Sequence, residues 1–192
     1  MTSTVKRGCD HIFFVGFLGA GKSTLARNLG RMFHRRFVDT DRLVERKYGQ
    51  TVSQIFKAEG EQRFRTLETE ALESLASERS LLVSCGGGVV ETPRNIELIH
   101  EMGFCVYLEG DIDDSLRQIR RSDTRPDFRS AEHAARLLEH RRPLYESAAD
   151  LTVDIRGTSF TEVSYTVAEL LLERGLLSLI HISEPTRHLR IS

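Results

Sequence analysis

Cysteine is scarce in this sequence and no long apolar segment occurs, and each of these features excludes a class of protein. The three cysteines, Cys9, Cys85 and Cys105, are far apart and odd in number, which favours reduced thiols over a disulfide framework. No segment approaches the roughly 18 uninterrupted apolar residues that a membrane span requires, and the N-terminus lacks the apolar stretch of a signal peptide. We therefore expect a soluble, cytoplasmic protein with no membrane partner.

Neither sign of charge is in excess. The chain has 27 basic and 28 acidic residues and a net charge of −1, so its overall charge gives no reason to expect a nucleic-acid partner. Its 192 residues, of which 40% are hydrophobic, suffice for one well-buried domain and are few for two. We expect a single domain and a monomer.

A phosphate-binding loop is the most specific motif in the chain. Residues 16–24 read GFLGAGKST, a complete G-x-x-x-x-G-K-[ST] pattern, and they follow the apolar run 12–15. Glycines let such a loop curl, so that backbone N–H groups point at phosphate oxygens near the positive end of the next helix. Lys22 then reaches the β- and γ-phosphates, and Ser23 offers a hydroxyl to Mg²⁺. The predicted nucleotide contacts here are Gly19, Ala20, Gly21, Lys22, Ser23 and Thr24.

Short apolar runs alternate with helical patterns along the chain. This alternation predicts an α/β fold with a parallel sheet covered on both faces, whose ligands bind at the carboxyl ends of the strands. The predicted strands are 12–15, 37–39, 81–84, 104–108 and 151–155. The predicted helices are 24–33, 52–75, 93–102, 112–120, 131–145 and 160–174, and the second of these is long enough to be broken.

Two carboxylates follow the second predicted strand, at the same sheet edge as the phosphate loop. The i, i+2 spacing of Asp39 and Asp41 favours side chains on one side of the chain. One carboxylate can anchor magnesium-bound water, and the other can accept a proton from an attacking hydroxyl or orient it. A simpler alternative stays open, in which Asp41 only caps a helix that begins at Arg42.

Two further segments can meet a ligand at this edge. Arg65 and Glu68 are three residues apart on a predicted helix, so they can pair and hold an arginine fork for a carboxylate; a solvated surface ion pair is the alternative. The glycines at 86–88 follow another strand, where backbone without side chains can approach a ligand closely. A plain turn is the alternative there.

Basic residues recur in two later segments. Residues 121–129 read RSDTRPDFR and lie between helical patterns, which predicts a lid that brings guanidinium groups over phosphates and excludes water. A surface loop is the alternative. Residues 141–145 read RRPLY, end a predicted helix and offer another anion contact.

Taken together, the motifs resemble the shikimate kinase family over residues 12–174. The resemblance is carried by GAGKST, DTD, the GE-x-x-FR-x-x-E stretch, GGG, the R-P segment and RRPLY, in that order and spacing. It implies a three-layer P-loop kinase fold with a five-stranded parallel sheet of order 2-3-1-4-5 and a small lid. The implied domain is 8–176, with a substrate-binding region at about 41–75 and a lid at about 121–130. The implied reaction transfers the γ-phosphoryl group of ATP, with Mg²⁺, to the 3-hydroxyl of shikimate, in aromatic amino-acid biosynthesis.

The resemblance also implies a role for each motif. It assigns Lys22, Asp41 and Arg125 to catalysis, Ser23 and Asp39 to the magnesium ion, and Arg121 to the nucleotide beside the phosphate loop. Asp41 would hold the shikimate hydroxyls, while Arg65 and Arg141 would clamp the shikimate carboxylate. The complete implied shikimate pocket is formed by Asp41, Arg65, Gly86, Gly87, Gly88 and Arg141.

Two other functions stay open from the sequence. A related small-molecule kinase, such as gluconate kinase, would share the phosphate loop but gives no reason for paired Arg65 and Arg141. A degenerate nucleotide-binding module would retain the fold and ATP affinity without turnover. The intact Lys22, Asp39 and Asp41 argue against such a module.

The last residues read as a translated sequencing adapter. The string LSLIHISEPTR, residues 177–187, matches the forward translation of a common transposase-based adapter. In the same frame the adapter continues, after an index, into codons for Ile191 and Ser192. We therefore predict that residues 177–192 are non-native and that the natural sequence ends at or before Leu176; the underlying nucleotide sequence tests this. A genuine C-terminal extension is the alternative.

The lid segment departs from the family pattern at one place. After Arg125 and Pro126 the family usually has two leucines, where this chain has Asp127 and Phe128. An acid near the triphosphate would repel it, and the altered apolar contact would loosen lid closure.

We predict that Asp127→Leu lowers the Michaelis constant for ATP, because the substitution removes a negative charge from the neighbourhood of the triphosphate. Steady-state kinetics at varied ATP concentration measure the effect. An unchanged or higher constant contradicts the prediction.

Overall fold

The computed structural model describes residues 9–112 and 131–178, in which strands and helices alternate. The strands are β1 His11–Val15, β2 Phe37–Asp39, β3 Leu82–Ser84, β4 Gly103–Glu109 and β5 Leu151–Asp154. The helices are α1 Lys22–Phe33, α2 Thr40–Tyr48, α3 Val52–Glu73, α4 Pro93–Met102, α5 Ala131–Ala148 and α6 Phe160–Glu173. Short 3-10 turns lie at Ser74–Ser77 and Val89–Glu91.

All five strands are parallel and lie in the order β2-β3-β1-β4-β5, which confirms the predicted α/β fold and strand order. Phe13 in the central strand β1 pairs with Val83 on one side and with Cys105 on the other. The chain first crosses from β1 to β2 at one edge, and after β3 it crosses over β1 to β4 and β5 on the other side. In parallel sheets the crevice for ligands forms where this reversal occurs, beyond the carboxyl ends of the strands.

Two apolar cores cover the two faces of the sheet. Every residue of β1 is buried, and alternate side chains point to opposite faces. Phe13 and Val15 pack in one core with residues of α3, α4 and α5, while Ile12 and Phe14 pack in the other with residues of α1 and α6. This double burial explains why β1 reads as a continuous apolar run.

The predicted substrate-binding region has a small core of its own. It contains one residue of α2 and four of α3: Val44, Ile55, Phe64, Leu67 and Ala71. The long helix α3 is broken at Gly60, whose φ of 83° and ψ of 173° are not helical. The second half of α3 therefore runs in its own direction and carries Arg65 and Glu68 to the sheet edge.

The helix α2 was indicated only through the alternative role of Asp41 as its cap, and that role is wrong. Asp39 is the N-cap of α2, because its carboxylate accepts a hydrogen bond of 3.2 Å from the backbone N–H of Arg42. The helix begins at Thr40, which leaves Asp41 in its first turn. The pattern was too short for a firm prediction, because the nine residues include only three apolar ones, Leu43, Val44 and Tyr48.

Several predicted features fall outside or at the limits of the described residues. The predicted lid, with Arg121, Arg125 and Asp127, lies outside the described residues. The helix predicted at 112–120 also lies outside them, apart from residue 112. Leu177, the first residue of the predicted tail, is buried in the core that contains α1 and α6. The boundary at residue 176 stays a prediction.

Within the described part of the chain, no helix is long and apolar enough to cross a membrane.

A buried histidine joins β1 to the segment before β3. The Nδ1 atom of His11 accepts a hydrogen bond of 3.1 Å from the backbone N–H of Leu81, so the proton of the neutral ring lies on Nε2, which is 3.1 Å from the carbonyl oxygen of Leu75. Burial lowers the pKa of His11 below its ordinary value of 6.5. The neutral ring therefore stabilises the fold above that pH, and this stabilisation is lost as the pH falls.

We predict that His11→Ala lowers the free energy of unfolding by about 2–4 kcal/mol at pH 7.5, because two buried backbone groups lose their partner and a cavity remains. Urea unfolding measures the change. Lys57→Ala, at an exposed position of α3, is the control and should change the free energy by less than about 0.5 kcal/mol. Equal effects of the two substitutions would refute the structural role of His11.

Candidate active site

The phosphate loop connects β1 to α1 through glycines with positive φ. Gly19 and Gly21 have φ angles of 83° and 80°, which L side chains adopt at a cost. Gly21 is the N-cap of α1, and a Cβ on it would overlap the ring of Phe160 at the start of α6. The loop is thereby held against α6, and the N-terminus of α1 carries the partial positive charge that attracts phosphate.

Lys22 lies inside the curve of this loop. Its Nζ atom donates hydrogen bonds of 2.8 Å to the carbonyl oxygens of Gly16 and Phe17. The side chain is almost fully buried. The ammonium group is therefore placed where the loop would bind phosphate.

A cluster of oxygen atoms lies beside the first turn of α1. The Ser23 hydroxyl donates a hydrogen bond of 2.7 Å to Asp39 Oδ2 and is 2.9 Å from the Ser84 hydroxyl. Within residues 9–112 and 131–178, no three His, Cys, Asp or Glu side chains form a metal-binding group. The hard oxygen donors suit Mg²⁺, whose usual sites combine one or two protein ligands with water and phosphate oxygens.

Asp41 belongs to the other half of the site. It is buried with 8% exposure, and its Oδ1 atom lies 2.5 Å from where a Cβ on Gly86 would be. Glu68 Oε1 lies 2.8 Å from the same point. The backbone N–H of Gly86 donates a hydrogen bond of 3.0 Å to the Thr40 hydroxyl. Two carboxylates therefore approach one glycine, whereas Asp39, two residues before Asp41, lies with Ser23.

Two arginines face the rest of the triple glycine. Arg65 donates hydrogen bonds of 3.0 Å to Glu68 and 2.9 Å to Glu61, and a Cβ on Gly88 would overlap its guanidinium. The Nη1 atom of Arg141 lies 3.9 Å from the Cβ position of Gly87. The structure contradicts the surface-pair alternative, because the side chains of Arg65 and Glu68 are only 13% and 1% exposed.

The buried acid of this pair has an unusual electrostatic environment. Burial and the neighbouring charge of Asp41 raise the pKa of Glu68 to about 7, although Arg65 and Arg141 oppose the rise. Within the described residues, Glu68 Oε1 and Arg65 Nε are buried without a hydrogen-bond partner. Such groups are rare in folded proteins and are typical of ligand sites.

Four residues of the site were not identified from the sequence. Thr40 and Ser84 contact Gly86 and Ser23, as described above. Tyr145 donates a hydrogen bond to the carbonyl oxygen of Gly87, and Glu91 binds Arg141. Of the four, only Ser84 carried a usable signal, because it ends a strand at the same edge as Asp39.

The predicted site residues that the structure describes converge on this edge of the sheet. They are Gly19, Ala20, Gly21, Lys22, Ser23, Thr24, Asp39, Asp41, Arg65, Gly86, Gly87, Gly88 and Arg141. The other two, Arg121 and Arg125, lie outside the described residues.

Comparison with known proteins shows the family of this chain. A model of the shikimate kinase family matches residues 18–172. The shikimate kinase of Vibrio parahaemolyticus is 38% identical over 167 residues, which cover 85% of this chain and 97% of that protein. The shikimate kinase of Acinetobacter baumannii is 35% identical over 179 residues, which cover 92% of this chain and 99% of that protein.

Solved structures give the same result. A shikimate kinase from Acinetobacter baumannii in complex with shikimate has a TM-score of 0.82 and 32% identity, and the match covers 90% of this chain and 98% of that one. The shikimate kinase from Aquifex aeolicus has a TM-score of 0.73 and 28% identity, with 86% and 98% covered. The chain therefore belongs to the shikimate kinase family, a family of ATP-dependent kinases.

Proposed function

We propose that this protein transfers the γ-phosphoryl group of ATP to the 3-hydroxyl of shikimate, with Mg²⁺, and releases ADP and shikimate 3-phosphate. One observation carries the proposal: the segment Gly86–Gly88 lies against both halves of the site. The Cβ position of Gly87 is 3.6 Å from the backbone nitrogen of Leu18 in the phosphate loop, while Gly86 and Gly88 approach Asp41 and Arg65. A small molecule on these glycines would lie beside the phosphates of a bound nucleotide.

The charges around the triple glycine fit an acid that also carries hydroxyl groups. Arg65 and Arg141 supply guanidinium groups, which bind carboxylates through paired hydrogen bonds. Asp41 and Glu68 supply carboxylate oxygens that accept hydrogen bonds from hydroxyls. Shikimate presents one carboxylate and three hydroxyls on a small ring, so both kinds of group find partners.

The phosphate loop would hold the nucleotide. The N-terminus of α1 and the Lys22 ammonium would bind the phosphates, and Arg121 and Arg125 would approach them from the lid. Ser23 and Asp39 would hold Mg²⁺ through their side-chain oxygens. The ion would neutralise charge on the phosphates when it is bound.

Asp41 is proposed to act on the attacking hydroxyl. Its carboxylate orients the 3-hydroxyl and accepts the hydroxyl proton as the oxygen–phosphorus bond forms and the bond to ADP breaks. Burial excludes water that would compete for the phosphoryl group.

We predict that Asp41→Asn lowers kcat for shikimate by at least about 100-fold, because an amide cannot accept the proton. ADP release in the presence of Mg²⁺ measures turnover. ATP affinity should change by less than about threefold, since Asp41 contacts the acceptor half of the site.

Two controls separate this function from its alternatives. Glu45→Gln, at a partly buried position of α2, should retain activity, and gluconate should not replace shikimate as the acceptor. Turnover of gluconate, or ATP binding by the unmodified protein without turnover of shikimate, would contradict the proposed function.

The raised pKa of Glu68 makes stability depend on pH. A carboxyl group whose pKa rises on folding stabilises the fold below its unfolded value, here 4.5, and this stabilisation is lost as the pH rises through about 7. We predict that the unfolding free energy of the ligand-free wild type, relative to that of Glu68→Gln, falls by about 2 kcal/mol between pH 5 and pH 8. Urea unfolding over this pH range measures the difference.

The matched control is Glu73→Gln, at an exposed position of the same helix. Its unfolding free energy should follow that of the wild type across the range. If the unfolding free energies of Glu68→Gln and the wild type change in parallel with pH, Glu68 is ionised in the folded protein over the whole range.

A further inference from the structure

An ion pair behind Arg141 has no part in the reaction described so far. The 3-10 turn Val89–Glu91 directly follows the triple glycine and ends at Glu91. The Oε1 atom of Glu91 accepts a hydrogen bond of 2.7 Å from Arg141 Nε, and Oε2 lies 3.1 Å from His140 Nε2. Burial acts to raise the pKa of Glu91, but hydrogen bonds from Arg141 and His140 outweigh it and hold the pKa below its ordinary value. Glu91 is therefore an anion in this arrangement.

Glu91 lies between the buried guanidinium and the solvent. The side chain of Arg141 is 4% exposed, that of Glu91 23% and that of His140 63%. A guanidinium buried this deeply is held in one orientation only if its donors have acceptors in fixed positions. Glu91 supplies such an acceptor, and its second oxygen is fixed by His140 on the outer side.

This contact determines which edge of the guanidinium faces the pocket. Arginine carries five N–H donors in a planar fork and binds carboxylates through two parallel hydrogen bonds. Because Nε is turned toward Glu91, the opposite end of the fork, with Nη1, lies nearest the Cβ position of Gly87. Tyr145, one turn further along α5, binds the carbonyl oxygen of Gly87. The same helix therefore fixes both the guanidinium and the glycine segment that it faces.

We propose that Glu91 is a positioning residue that orients the Arg141 guanidinium for the carboxylate of the acceptor and so favours acidic over neutral acceptors. Glu91 acts through Arg141 and does not touch the acceptor. This proposal rests on the proposed function, because it requires Arg141 to bind the shikimate carboxylate.

The test compares Glu91→Gln with the wild type on two acceptors, shikimate and its methyl ester. Glutamine has the size of glutamate and retains an oxygen for Arg141 Nε, but it loses the charge that fixes the pair. We expect the Michaelis constant for shikimate to rise about five- to tenfold with kcat within about twofold, because orientation of the bound acid is lost and the chemistry is not. The Michaelis constant for the ester should change by less than about twofold, since a neutral ester does not form the ion pair with Arg141.

Two further variants keep this test decisive. Glu97→Gln removes a carboxylate that pairs with Arg94 at 3.1 Å on the exposed side of α4, and it should behave as the wild type with both acceptors. Glu91→Asp keeps the charge but retracts it by one methylene, so its Michaelis constant for shikimate should lie between those of the wild type and Glu91→Gln. If Glu91→Gln does not fold, Glu91→Asp alone is compared on the two acceptors.

Each outcome has one meaning. If Glu91→Gln raises the Michaelis constant for shikimate but not that for the ester, the positioning role is supported. The positioning role is overturned if the Michaelis constant rises equally for both acceptors, if only kcat falls, or if neither constant changes. The proposed function stays in place in each of these cases. If the wild type does not phosphorylate shikimate, the proposed function fails first and the role of Glu91 fails with it.

Discussion

The absence of side chains at Gly86–Gly88 is the constraint on which the acceptor half of the site depends. A Cβ on Gly86 would overlap the carboxylates of Asp41 and Glu68, and a Cβ on Gly88 would overlap the guanidinium of Arg65. Because these positions carry no Cβ, acids and cations from three helices approach one short backbone segment. The segment follows β3 directly, so the rigid sheet fixes its position relative to the phosphate loop after β1.

Close approach removes charged groups from water, and two ion pairs compensate part of that cost. Glu68 lies against Arg65, and Arg141 lies against Glu91. Removing ions from water costs several kcal/mol each, so burial of one partner alone would be strongly unfavourable. The compensation is incomplete at Glu68 Oε1 and Arg65 Nε, which have no partner within the described residues.

The success of sequence-based prediction differed between the elements, and the reasons are physical. The strand β1 and its loop were predicted because a buried parallel strand is apolar throughout and the glycines of the loop have few alternatives. The helix α4 begins at Pro93, as predicted, because proline favours the first turn of a helix. The helix α2 was indicated only as an alternative, because its nine residues include just three apolar ones. The break in α3 at Gly60 was anticipated only as a break somewhere in a long pattern, since glycine permits a kink without requiring one.

The sequence by itself determined the fold class and the position of the phosphate loop between β1 and α1, because both follow from local patterns: apolar periodicity, and the spacing of the loop's glycines and lysine. Only the tertiary structure decided how the remaining groups are paired. Asp39 lies with Ser23 and Asp41 with Gly86, although only Thr40 separates the acids, because the helix that starts at Thr40 turns them apart. Glu91 meets Arg141 across 50 residues of sequence because a strand, a helix and the sheet edge bring them together. Long-range pairings of this kind depend on the path of the whole chain, which local sequence patterns do not specify.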